Sequence, residues 1–179
     1  MKFQNNQLNK FTLYITIVLT TFGCSLQFTF KSGGKETKEI DAETVQVDFF
    51  ENNSSLGGAS LSASFTEDLR DIMQAQTKLN LVADKGDIQI YGTIKDFNIS
   101  PINIQSGSES AAQNRLKMIV SVSTYFNKND SVGLENSSFN AFVDYDAQND
   151  FSTLEESLIE SLNYQITQDI FDKVFGGEW

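Results

Sequence analysis

The chain contains no histidine and only one cysteine, Cys24. Without imidazole there is no zinc site of the usual kind and no histidine base to activate a serine or cysteine nucleophile, and one thiol closes no intramolecular disulfide. Much of enzymology is closed off. Proline also occurs once, at Pro101, where it marks a strand terminus or a sheet edge. Positive charge is scarce as well: 13 Lys and Arg stand against 24 Asp and Glu, for a formal net charge of −11. The mean field of such a chain repels phosphate backbones and anionic lipid headgroups, so no nucleic acid partner is expected. At 179 residues there is room for one domain of ordinary size.

What is present near the front gives Cys24 a context. Lys2 and Lys10 precede an apolar run from Phe11 to Phe22, the length of the hydrophobic part of an export signal. Thr21-Phe22-Gly23-Cys24 then resembles a bacterial lipobox, in which a peptidase cuts before a cysteine that carries diacylglycerol. Gly23 fits the small residue such sites want, whereas Thr21 stands where leucine is usual. The expected division is a lipoprotein signal peptide over 1–23, a lipidated N-terminus and tether over 24–43, and a folded domain over 44–179. Two alternatives compete. The uncharged stretch from Phe11 to Phe30 has about the length a spanning helix needs, although its threonines and Gln27 make it a poor one. Cys24 can also be an incidental thiol behind a signal for soluble export.

Beyond the tether the apolar period alternates between two and about four. Val45, Val47 and Phe49 predict a strand, and Leu61, Phe65, Leu69, Ile72 and Met73 predict a helix over about 60–79. Ile88, Ile90 and Ile94 share one parity while Phe97 and Ile99 take the other, which predicts a strand with a bulge near Lys95 and Asp96. Leu116, Met118, Val120, Val122 and Phe126 alternate over the strongest strand, and Phe139, Ala141, Val143 and Tyr145 lie in step on a further strand over 134–145. A second helix follows. Ser152-Thr153-Leu154-Glu155 has the spacing of a capping box, and Leu154, Leu158, Leu162, Ile166, Ile170 and Val174 recur every four residues. The order β-α-β-β-β-α, with helices that need a sheet to cover their stripes, predicts an α+β fold with both helices on one face.

Two acidic features stand as candidate sites. Asp144, Asp146, Gln148, Asp150, Ser152 and Glu155 match the coordinating positions of an EF-hand loop, but Asn149 replaces the glycine the loop needs, and a strand precedes it. The expectation is a helix start and no metal. Asp96, Asp144 and Asp146 can supply a carboxylate pair on paper, yet nothing near them resembles a nucleophile or phosphate cradle, so no catalytic residue and no enzyme is expected.

The segments VQVDFFENNSSLGGASLSASFTEDLRD, QTKLNLV, GDIQIYGTIKDFNISPINI, AAQNRLKMIVSVSTYFN and IFDKVFGGEW resemble the LPS-assembly lipoprotein family, LptE, over nearly all of the chain after Cys24. The resemblance implies a four-stranded mixed sheet with two helices on one face. It also implies a Gram-negative lipoprotein on the periplasmic face of the outer membrane, which plugs the LptD barrel, assists its assembly and supports delivery of lipopolysaccharide to the surface. No cofactor is implied beyond the covalent lipid on Cys24. Arg115 and Lys117, on the polar face of the strongest strand, are the candidate contacts for lipid A phosphates. Their plain alternative is solvated strand charge or edge protection. The competing function is an envelope lipoprotein that serves another assembly machine or binds a small lipid ligand.

Overall fold

The computed structural model describes residues 41–102 and 112–176. The signal, the lipobox with Cys24 and nearly all of the tether fall outside these residues, as do Gly177, Glu178 and Trp179.

Strand β1 (Thr44–Val47) places Val45 and Val47 in the core and leaves Gln46 half-buried. The expected alternation to Phe49 does not continue. Phe49 is 55% exposed and its neighbour Phe50 is fully buried, because the chain turns after Val47. The turn is held where the Phe50 N–H donates to Thr66 Oγ1 at 3.0 Å and the Phe50 ring meets Phe65 at 5.2 Å. A short β2 (Glu51–Asn52) follows, and then α1 (Gly58–Gln76). Gly57 enters the helix at φ 78, a left-handed conformation that favours glycine, and a Cβ there would stand 2.7 Å from the Leu61 side chain. Helix α1 buries Leu61, Phe65, Leu69, Ile72 and Met73 as its stripe predicts, together with Ser62 and Thr66.

After β3 (Asn80–Val82) come the two long strands, β4 (Ile88–Ile102) and β5 (Gln113–Phe126). They pair antiparallel along their whole length with one register shift: Ile94 faces Val120 and Asp96 faces Ile119, so Lys95 is the extra residue of a bulge. The bulge sits where the change of parity predicts it, and it keeps both Ile94 and Phe97 buried. A 3₁₀ turn leads to β6 (Ser131–Val132) and β7 (Ser137–Asp146). Helix α2 (Phe151–Phe175) closes the chain. Its cap is Asp150, which accepts from the Ser152 N–H at 3.1 Å, so the cap lies two residues before the serine expected to supply it.

The sheet has seven strands in the order β3-β1-β4-β5-β6, with β2 also on β4 and β7 also on β5. Strand β1 is parallel to β3 and β4, β2 is parallel to β4, and the remaining pairs are antiparallel. This corrects the expected four-stranded sheet and the order β-α-β-β-β-α. The three strands missed are two or three residues long. So short a segment has no alternation to read, and it is a strand only because the register of its neighbour supplies the hydrogen bonds.

Helix α1 packs on β1, β2 and β3, α2 on β5 and β7, and the helices on each other. Between them and the sheet lies one core, in which Ile88, Ile90, Leu116, Met118, Val120 and Val122 meet Leu162, Ile166 and Ile170. Burying each such side chain contributes roughly 1.5–3 kcal/mol against leaving it exposed. No helix among the described residues covers the other face of the sheet.

Candidate interaction surface

The period of two that fills the core also writes the open face. On β5 it carries Arg115, Lys117, Ile119, Ser121, Ser123 and Tyr125; alongside stand Tyr91, Thr93, Asp96 and Asn98 of β4 and Ser138, Asn140, Phe142 and Asp144 of β7. The surface is mostly polar and of mixed charge. The outer side of the helix pair differs: a groove of about 580 Å³ between α1 and α2 is lined by Asp68, Asp71, Ile72, Glu160 and Tyr164 among others, and is acidic. Asn163 of α2 ties the two helices together, donating to Ser64 Oγ at 3.0 Å and Asp68 Oδ2 at 2.6 Å. A phosphorylated lipid finds no counter-charge there.

Arg115 and Lys117, expected as a pair, have different surroundings. Arg115 and Asp144 face each other across β5 and β7, and the guanidinium makes a two-pronged contact with the carboxylate at 2.8 and 2.9 Å. It also lies 3.8 Å over the ring of Phe142. The bond to Arg115 holds the Asp144 carboxyl below its ordinary range, and the same bond raises the guanidinium. Arg115 is therefore already engaged. Lys117, between Asn98 and Phe142 in the register, is half-buried and has no ion pair among the described residues. Lys95, on the bulge, adds a second unpaired cation.

Phe142 was not foreseen as part of this surface. It is out of step with Phe139, Ala141 and Val143, and an apolar residue on the wet parity of a strand was the signal that it has a partner outside the core.

Three of the six EF-hand positions are taken by local structure. Asp144 holds Arg115, Asp146 accepts the N–H of Gln148 at 2.9 Å, and Asp150 caps α2. Nor do the scattered acids converge: Asp96 and Asp144 lie on strands separated by β5, and Asp96 accepts from the Asn98 amide.

At the far end of the sheet Asp87 pins β1 to β4. Its Oδ2 accepts from the N–H groups of Glu43 and Thr44 at 2.8 and 3.0 Å, while its own N–H donates to Thr44 Oγ1 at 2.8 Å. The bond from the Glu43 N–H is the main cause of a carboxyl pKa held below the ordinary value, with Thr44 and Lys128 adding to it. A depressed folded pKa stabilises the fold above the unfolded value and loses that contribution as pH falls through the folded one. Asp87→Asn is thus expected to melt below wild type at neutral pH, with the gap closing below about pH 4. Melting temperatures of both chains across that range check it; a gap independent of pH would assign the effect to shape rather than charge.

The profile of the lipopolysaccharide-assembly family LptE matches residues 42–174, which takes in every element from β1 to the last turn of α2. The chain belongs to the LptE family. Membership makes it an outer-membrane lipoprotein of lipopolysaccharide assembly, on the periplasmic side, and not an enzyme. No helix among the described residues is long and apolar enough to cross a membrane. No curated protein matches the sequence of this LptE-family chain. Among solved structures, a candidate neuraminyllactose-binding hemagglutinin homolog from Helicobacter pylori shares the fold at TM-score 0.54 and 7% identity, over 79% of this chain and 87% of that one. A minor lipoprotein from Acinetobacter baumannii aligns at TM-score 0.47 and 12% identity, over 75% and 94%.

Proposed function

We propose that this LptE-family chain plugs the LptD barrel, helps it assemble and so supports delivery of lipopolysaccharide to the cell surface. The observation that carries the reading is the open sheet face, polar and of mixed charge along three adjacent strands, which suits the water-facing wall of a large barrel. In this reading residues 1–23 are the signal peptide, Cys24 carries the lipid, and 24–43 tether the domain to the membrane. Lys117 is the better of the two candidate phosphate contacts, because Arg115 must release Asp144 before it can serve.

Depleting the protein in its host is expected to lower correctly assembled LptD and surface lipopolysaccharide together. Complementation with Arg115→Ala plus Lys117→Ala is expected to restore most of each, since exposed charges contribute about 0–1 kcal/mol. Unchanged barrel and unchanged surface lipopolysaccharide would sink the plug and leave an envelope lipoprotein with another task.

A further inference from the structure

Among the described residues strand β7 pairs only with β5, and which of its backbone groups face outward follows from one bond. The Ala147 N–H donates to the Ala112 carbonyl at 2.9 Å, which makes 112 and 147 a hydrogen-bonded pair in the same register that joins Gln113 to Asp146 and Val122 to Ser137. In an antiparallel ladder such pairs alternate with pairs whose N–H and C=O groups point away from the partner. Odd-numbered residues of β7 therefore bond β5, and Ser138, Asn140, Phe142 and Asp144 direct theirs to the free edge. All four are exposed, and no backbone bond from any of them is found among the described residues.

Edges of this kind are normally blunted by brevity, by proline or lysine, or by a bulge. The opposite end of the sheet follows that rule, since β3 has three residues. Strand β7 has only Asp144 and Asp146, both at one end: it runs for ten residues, SSFNAFVDYD, in unbroken register with β5 and without proline or lysine. The residues it turns to the core tell the same story. Phe139 and Val143 are only partly buried, while their neighbour Ala141 is covered.

We propose that the free edge of β7 accepts an extended segment of the partner barrel polypeptide as an added strand, an inference that rests on the plug reading above. The recognition chemistry is main-chain hydrogen bonding to Ser138, Asn140, Phe142 and Asp144. The inward row of the added segment is apolar, to finish covering Phe139 and Val143. Its outward row is polar, with a base near Asp146, since Asp144 is already paired with Arg115. A second copy of the chain is the poorer occupant, because it brings a further net charge of −11 to the contact.

The variant that separates edge from fold is Asn140→Pro in the full chain. Its N–H faces away from β5, so proline removes no bond of the existing ladder while deleting a donor and placing a ring on the docking edge. Asn140→Ala keeps the N–H and controls for the side chain. With a melting curve to show that each chain folds, Asn140→Pro is expected to recover about tenfold less barrel from solubilised outer membranes, and Asn140→Ala as much as wild type. A photo-crosslinking residue at position 140 is expected to join the chain to the barrel. If Asn140→Pro fails to fold, Ser138→Pro, whose N–H also faces away from β5, takes its place. Full recovery by a folded Asn140→Pro chain, or cross-links only to a second copy, overturns the strand addition while leaving the plug intact. Wild-type protein that recovers no barrel removes both.

Discussion

Gly92→Ala, the addition of one methyl group, is expected to destabilise the fold by about 3 kcal/mol, the upper end of what overpacking a core usually costs. Gly92 lies on the inward parity of β4 beneath the ring of Phe50. A Cβ built there would overlap the carbonyl oxygen of Ser121 on β5 and stand 2.7 Å from the Phe50 ring. The ring can turn aside; the carbonyl cannot. It belongs to the longest antiparallel pair of the sheet, and moving it means parting β4 from β5 at a point where both are buried on the same side. Set against a total stability of about 5–15 kcal/mol, the loss is large enough to reduce folded protein in the cell. Denaturant unfolding should show a lower midpoint with an unchanged slope. Adding Phe50→Leu to Gly92→Ala should recover only part of the loss. Complete recovery would locate the conflict in the ring, and an unshifted midpoint would mean that the strands separate at no cost.

The same residue shows why parts of the molecule were legible in the sequence and parts were not. Periodicity reports which side of an element is buried, and it placed the stripes of both helices, the parity of β4 and β5 and the bulge at Lys95. It does not report where a strand stops. Phe49 continued the alternation of Val45 and Val47, yet Phe50 is the residue that enters the core, because the space over Gly92 and beside Phe65 lies one residue further on. The short strands β2, β3 and β6 were invisible for a related reason, since the partner strand rather than their own side chains defines them. Residue types could nominate Arg115 and Lys117 but could not tell them apart. Only the cross-strand register brings Asp144 opposite one of them and leaves the other without an acid. The free edge of β7 was hidden more completely, because it consists of main-chain groups.

Charge is divided between the two layers in a way that bears on orientation. The outward surfaces of the helices carry Glu67, Asp68, Asp71, Glu156, Glu160 and Asp172 against Lys173 and Arg70, the latter committed to Glu67 and to the Val47 carbonyl. The open sheet face holds Lys95 and Lys117, with Arg115 already paired to Asp144. A polyanionic headgroup is therefore repelled by one side of the molecule and tolerated by the other. If the proposed plug meets lipopolysaccharide, this asymmetry turns the helix layer away from it.

Cys24→Ala should produce the largest change of all, a transfer of the protein from the membrane fraction to the soluble one. Each buried methylene of a lipid anchor contributes about 0.8 kcal/mol, so acyl chains on Cys24, as the proposed reading has them, would exceed anything a surface of this polarity can offer a bilayer. Their loss is not compensated by the folded domain, in which no helix among the described residues can span a membrane. Folding itself should be untouched, because Cys24 precedes β1 and every residue of the core lies beyond it. The measurement belongs in cells depleted of the barrel, where a plug cannot be retained by its partner: wild type should pellet with outer membrane and Cys24→Ala should remain in the periplasmic extract with an unaltered melting curve. If the variant still pelleted wholly with the membrane, the anchor would be the uncharged stretch from Phe11 to Phe30 rather than a lipid. Replacing Ile15 and Ile17 with lysine in that stretch would then release the protein, since charge in the middle of a spanning segment costs about 2.5–3.5 kcal/mol per residue.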